Sequence, residues 1–377
     1  MTKRATILQY RLLHYRLDLF EKIKERCEKY DISLRVVHGN PSAQESSRKD
    51  VGELNWSTRV RNRYLKIKGT ELLWQTLPKD LRDDDLVIIM QENRILSNYP
   101  ILFHLGSPAQ KTAYWGHGAN FQSHNPSGYR EKWKKIMLNK VDWWFAYTQA
   151  TVDILTERGY PPNQITNLNN AVDTTAFKGL ANDISEHEIS SFKQQHGIPD
   201  TAEIGLYCGS LYPGKKLTLL VNAVERIKVK RKEFHLVIVG DGSQRSMLEQ
   251  AAEDRNWIHM TGVLTGRDKA LTYKIADIIL NPGSLGLHIL DAFCLGIPLF
   301  STLTAMHGPE ICYLNNGTNG VLTKSNAVDY SDAVLKALSD PKFLKQLGEN
   351  AQRDSEKYTL DAMADNFATG IRKALNS

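Results

Sequence analysis

The sequence predicts an α/β protein made of two doubly wound parallel sheets, and three observations predict it. Short apolar, β-branched runs alternate with helix-period stretches along the whole length. At 377 residues the chain is too long for one ordinary core. The alternation also loosens once, across residues 165–185, and then starts afresh.

The first series opens with ATILQY (5–10) as a strand and RLDLFEKIKERCEKY (16–30) as an amphipathic helix. SLRVVHG (33–39), DLVIIMQ (85–91), KTAYWGH (111–117) and WWFAYT (143–148) read as further strands, with helical stretches between several of them. RVRNRYLKIKG (59–69) alternates more strictly, which suits an edge strand. ITNLNNAVDTTAFKGLANDIS (165–185), rich in Asn, Thr and Gly, reads as a linker. A second series follows: EIGLYCG, a helix from about Lys216 to Lys230, FHLVIVGDG, WIHMTG, DIILNP and PLFST, with helices between. The stretch 358–377 is helical, with Leu360, Met363, Phe367, Ile371 and Leu375 on one stripe, more apolar surface than a free tail carries. The expected domains are therefore 1–175, with 358–377 packed back on it, and 176–357. Two such domains facing each other frame a central cleft, because open parallel sheets take ligands beyond the C-terminal ends of their strands.

Composition narrows the function. A hydrophobic fraction of 41% and a charged fraction of 24% belong to a soluble globular chain. No apolar run reaches the roughly 20 residues of a membrane span, and MTKRATILQYRLLHYR is too interrupted by charge for a signal peptide. Four scattered cysteines lack metal-ligand spacing and read as reduced cytoplasmic thiols. Residues 1–175 hold 26 Lys and Arg against 19 Asp and Glu, so the whole excess of the net +6 lies in the first half. That half is expected to meet something anionic. No nucleic-acid motif accompanies the charge, which leaves a phosphorylated substrate or an anionic membrane surface. GYREKWKKIMLNK (128–140) is basic and amphipathic, suited to the inner face of a membrane or to packing on its own sheet. Asp83-Asp84-Asp85 precedes a strand rather than following one and suits a turn; no metal and no cofactor are expected.

The chemistry concentrates in NPGSLGLHILDAFCLGIP (281–298). An apolar strand stops at Asn-Pro-Gly-Ser, turns through Gly286 and starts a helix with Asp291 in its first turns. A helix start offers unpaired N–H groups and partial positive charge, and glycine lets an anion approach them.

This segment has company. LYCGSLYPGKKLTLLVNAV (206–224), LVIVGDGSQRSMLE (236–249), MTGVL (260–264), YKIADIILNPGSLGLHILDAFCLGIPLFST (273–302) and PEICYLNNGTNGVLT (309–323) stand in order across nearly all of 203–323. Together they resemble the nucleotide-sugar-binding domain of the family-4 retaining glycosyltransferases of GT-B fold, two Rossmann-like domains around a cleft. YWGHGAN (114–120) and NLNNAVDT (167–174) match that family more loosely.

The resemblance implies roles. The Gly286 and Leu287 amides would face the donor's diphosphate and sugar, and Asp291 stands where the family has a glutamate on the ribose hydroxyls. Lys215 matches its phosphate-binding lysine, while the partner arginine falls at Ser210, a neutral donor; Lys216 is a substitute cation. Val263 and Leu264 match main-chain contacts to the base. The family's second glutamate falls at Gly283, so contact with the donor sugar passes to backbone, Ser284 or His288. His117 matches a residue at the transferred centre, and Glu310 an acid that a helix start explains equally well. Arg11, His14 and Arg16, after the first strand, are candidates for an acceptor phosphate or the diphosphate, or a solvated helix start.

The expectation is a metal-independent retaining glycosyltransferase working on a glycan or lipid-linked acceptor. Bacterial surface-polysaccharide assembly, lipopolysaccharide included, is the family-level setting. Competing readings are a GT-B epimerase or hydrolase, marked by donor turnover without acceptor, and an inactive binding homologue.

Overall fold

The apolar runs become the strands of two separate parallel sheets. The computed structural model describes residues 2–46, 51–67, 69–105, 109–118, 133 and 136–377. It divides into a first unit of Met1–Val172 with Leu360–Ser377 and a second of Asp173–Thr359.

In the first unit the strands are β1 (Lys3–Gln9), β2 (Ile32–His38), β3 (Thr58–Arg59), β4 (Asn62–Ile67), β5 (Thr70–Gln75), β6 (Leu86–Met90), β7 (Lys111–Gly116), β8 (Trp143–Ala146) and β9 (Ile165–Asn167). Seven form a parallel sheet in the order β3-β2-β1-β6-β7-β8-β9. The stretch 59–69, expected as one edge strand, divides. Thr58–Arg59 forms the sheet edge, and β4 folds back on β5 as an antiparallel ribbon of its own. Gly69 sits in that turn at φ +79°, a conformation glycine adopts without a steric penalty.

Helix α1 (Leu17–Glu28) buries Leu19, Phe20, Ile23 and Cys27. The last helix, Leu360–Asn376, buries Met363, Phe367 and Ile371 in the same unit. Its Phe367 ring stacks on Phe145 at 4.6 Å, and its Asp361 pairs with Lys22 of α1 at 2.9 Å. Of the Asp83–Asp85 carboxylates, two serve the fold: Asp84 accepts from Thr6 and pairs with Arg4 and Arg35, and Asp85 pairs with Lys3.

The stretch 165–185, expected as a linker, is mostly regular. It holds β9 and a helix at Thr174–Asn182, whose first turn is capped by the Asp173 carboxylate accepting from Ala176 N–H at 2.9 Å. The Asn- and Thr-rich composition supplies caps and turns there, and the chain passes from the first unit to the second inside this stretch, between Val172 and Asp173.

The second unit carries β10 (Glu203–Cys208), β11 (Phe234–Val239), β12 (Ile258–Gly262), β13 (Ile278–Leu280), β14 (Leu299–Thr302) and β15 (Gly320–Thr323). All pair in parallel in the order β12-β11-β10-β13-β14-β15. The chain therefore winds one way from β10 and the other way from β13, and these two strands lie side by side. Their C-terminal ends mark the switch point, the place where open parallel sheets take ligands. Among the described residues no helix is long and apolar enough to cross a membrane.

Candidate active site

The loops leaving β10 and β13 meet at the switch point of the second unit. After β10 the chain makes a short 3₁₀ turn at Pro213–Lys215, and Lys216 takes a left-handed conformation at φ +53° before the helix Leu217–Lys230. After β13, Ser284 N–H donates to the Gly214 carbonyl at 2.9 Å, which pins the second loop onto the first. Gly283 is what permits that contact. A Cβ there would overlap the Lys215 main chain. The position at which the resemblance places a glutamate thus has no room for any side chain.

Lys215 is the electrostatic centre. Its side chain is 7% exposed, and its ammonium donates to the Ser284 carbonyl. Among the described residues no carboxylate pairs with it. Burial pushes its pKa down to about 8, against a smaller upward pull from Cys208. The neighbouring histidines add no charge. Burial holds His288 well below its usual value, with Lys215, Lys269 and His307 acting in the same direction, and its Nε2 lies against Asn281 Nδ2. His307 accepts from Leu285 N–H at Nδ1 (3.2 Å) and donates from Nε2 to the Thr302 carbonyl at 2.7 Å. Burial lowers its pKa too.

Gly286 faces open space, since a Cβ there would meet nothing within 4 Å. The helix that follows, Ile289–Cys294, has no side-chain cap at its start. Glu310, buried in the 3₁₀ turn Pro309–Tyr313, lies beside Gly308, whose N–H donates to the Leu285 carbonyl at 2.7 Å. An acid that a helix start would explain is thus brought to the same turn.

Asp291 is buried and paired with Lys269 at 2.7 Å. Burial raises its pKa, and Lys269 offsets part of that rise. Lys269 sits 4.8 Å from the Phe177 ring centroid and 5.7 Å from that of Tyr273, and its charge also acts on the Cys208 thiol. Sequence reading missed this lysine. It belongs to no motif, and its helix, Gly266–Lys274, shows no pattern that marks one residue over another.

The remaining donor-side candidates lie on loops at the same C-terminal edge. Ser210 is exposed and its carbonyl accepts from Tyr207 Oη at 2.9 Å. Lys216 reaches Ser325 Oγ and, at 3.4 Å, Thr302 Oγ1. Leu287 is partly buried beside Gly286; Val263 is exposed and Leu264 partly buried in the loop after β12.

In the first unit His117 follows β7, is exposed, and stacks on Tyr147 at 4.2 Å. Gly118 behind it, at φ +69°, donates its N–H to Gln91 Oε1 at 2.9 Å. His14 is exposed, and Arg11 is buried with its Nε donating to Tyr10 Oη at 3.2 Å. Arg16 departs from the solvent- or phosphate-facing expectation. It is buried, donating to the Ala171 carbonyl at 3.2 Å and to Asn170 Oδ1 at 2.6 Å, because the chain after β9 returns beneath it. Most of the basic stretch 128–140 lies outside the described residues. Of its apolar members, Trp133 donates to Tyr99 Oη at 3.1 Å, and Met137 and Leu138 are in the core.

Two parallel sheets, each wound in both directions, are the architecture of the GT-B fold. Residues 188–354 match the family model described as "Glycosyl transferases group 1". A D-inositol 3-phosphate glycosyltransferase of Gordonia bronchialis is 26% identical over 198 residues, 48% of this chain and 42% of that protein. The alpha-D-kanosaminyltransferase of Streptomyces kanamyceticus is 24% identical over 192 residues, 49% of each chain. The chain thus spans about half the length of these curated relatives. Among solved structures, Anabaena HepE in complex with UDP superposes with a TM-score of 0.70 over 98% of this chain and 99% of its own, at 15% identity.

Proposed function

We propose that the protein is a retaining, metal-independent glycosyltransferase that moves a sugar from a nucleoside-diphosphate donor to a hydroxyl of a glycan or lipid-linked acceptor. One observation carries the reading. A buried ammonium with no carboxylate partner among the described residues sits beyond the C-terminal ends of two neighbouring parallel strands, where the winding of the sheet reverses. An unpaired buried cation is costly to the fold, and an incoming diphosphate offsets that cost while completing its electrostatics. Such a site stabilises charge on the leaving phosphates without an acid–base pair.

In this reading Lys215 and the Gly286 and Leu287 amides hold the diphosphate, with Lys216 as a second cation and Ser210 as a neutral donor. Asp291 accepts from the ribose hydroxyls, and main-chain groups at Val263 and Leu264 meet the base. With no side chain possible at Gly283, the sugar is read by backbone and by Ser284 or His288. His117 acts at the transferred centre, and Arg11 and His14 serve the acceptor. The leaving phosphate takes the acceptor's proton on the same face of the sugar, so the anomeric configuration is kept.

The UDP bound by HepE makes UDP the first nucleotide to test. A thermal-shift screen of UDP-, GDP-, ADP- and dTDP-sugars should show one base stabilising the second unit. Ligand at roughly 100 times its Kd adds about 2.7 kcal/mol. Product NMR in EDTA then reads the anomeric configuration. Inversion, loss of turnover in EDTA, or rapid donor consumption without acceptor would each overturn the corresponding part.

A further inference from the structure

The β4–β5 ribbon has two faces, and its register separates them. Asn62, Tyr64, Leu73 and Gln75 share one face. That face is anchored: Leu73 is fully buried, Asn62 Nδ2 donates to the Tyr10 carbonyl at 2.7 Å, and Gln75 Nε2 donates to the Gln9 carbonyl at 2.8 Å. Arg63, Leu65, Ile67 and Trp74 share the other. There Leu65 is 59% exposed, Ile67 47% and Trp74 44%. A ribbon with one wet face ordinarily alternates apolar inward and polar outward. Three large apolar side chains together on the outward face form a patch, which marks an interaction surface.

The charge around the patch selects its partner. Arg63 is exposed on that face and Arg61 just before β4, while Lys66, also exposed, lies on the opposite face by the register. The ribbon's one acid, Glu71, already pairs with Arg94 at 3.3 Å. A second copy related by a two-fold axis would bring Arg63 against the same cation of its mate, with no carboxylate of the ribbon on that face. A bilayer carrying anionic lipid accommodates both features. Tryptophan rests at headgroup depth, aliphatic side chains pass below it, and Arg and Lys meet lipid phosphates. We propose that the Leu65–Ile67–Trp74 face of this ribbon docks on an anionic lipid bilayer. The anchoring bonds to Gln9 and Tyr10 place the ribbon next to the loop bearing Arg11 and His14, so a lipid-borne acceptor would arrive beside that loop. The proposal stands apart from the donor assignment, which concerns the second unit.

Flotation of the full chain with phosphatidylglycerol–phosphatidylcholine vesicles, in roughly a one-to-three ratio, tests it against pure phosphatidylcholine. Wild type should float with the anionic vesicles and lose binding at high salt. L65E/I67E should bind about tenfold or more weakly, with unchanged thermal midpoint and UDP affinity. Brominated lipid should quench wild-type tryptophan emission and quench W74F much less. The proposal is overturned if wild type stays off anionic vesicles, if L65E/I67E floats equally, or if quenching persists in W74F. It is also overturned if sedimentation velocity shows a dimer that L65E/I67E dissolves, since a second copy would then cover the face. UDP affinity reads the second unit alone, so a failure here is distinguishable from a failure of the donor site.

Discussion

Replacing Lys215 with methionine should make the protein more stable and less able to bind its donor. Burial moves this lysine from 10.5 to about 8, and at about 1.4 kcal/mol per unit the protonated form is disfavoured in the fold by about 3 kcal/mol. Between these two values the unfolded chain binds more protons than the folded one, so this group's contribution to stability rises with pH through that window. Below about 8 both states are protonated and the full penalty remains. Methionine removes the charge but leaves the Ser284 carbonyl without its donor, a loss of about 1–2 kcal/mol. The net expectation at pH 7 is a gain of about 1–2 kcal/mol, or several degrees in Tm. Loss of a charge-assisted hydrogen bond should at the same time weaken UDP binding by roughly ten- to a hundredfold. In wild type, UDP affinity should be flat below about 8 and fall above it as the ammonium deprotonates. Calorimetry from pH 6 to 10 and parallel melting curves measure both effects. A Lys215→Met protein that is less stable at pH 7 and binds UDP as tightly as wild type would refute the reasoning.

Three further outcomes are expected. Lys269→Met leaves the buried Asp291 carboxylate uncompensated and should cost about 3 kcal/mol at pH 7 by urea melting; the deficit should shrink as acid protonates Asp291, whose pKa rises further once Lys269 is gone. Asp291→Asn should weaken UDP binding by about tenfold through the lost charge-assisted bonds while leaving the affinity for 2′,3′-dideoxy-UDP nearly unchanged; an equal loss for both nucleotides would remove the ribose role. Gly283→Glu should not restore a sugar contact but destabilise by about 1–3 kcal/mol or more through overlap with the Lys215 main chain; an unaffected melting midpoint would show that the turn yields.

Periodicity made the parallel architecture legible because the central strands of each sheet are continuous apolar runs buried on both sides. Residues such as Ile7, Ile88, Leu236 and Ile279 had nowhere else to go. Lys215 and the Gly286 turn were legible because local order suffices: a strand, a turn and a helix start within a few residues. What sequence hid is whatever depends on chains meeting across the fold. Lys269 gains meaning only from Asp291 on a different helix, and Arg16 only from Asn170 and Ala171 after β9. Gly283 read as a lost glutamate until its distance to the Lys215 backbone supplied a steric reason. The stretch 59–69 reads as an edge strand because strict alternation fits an edge strand and one arm of a two-stranded ribbon alike.

The return of Leu360–Asn376 to the first unit has a temporal consequence. During synthesis, the lobe whose polypeptide emerges earliest waits for the segment that emerges after the whole of its neighbour. Until then Trp115 and Phe145 lack the Phe367 ring that covers them. A ribosome stalled anywhere in Asp173–Thr359 therefore holds an unfinished first lobe with that aromatic surface open, a natural substrate for chaperones. Excising 1–172 by itself should give an aggregation-prone fragment, which adding the detached 360–377 peptide would rescue.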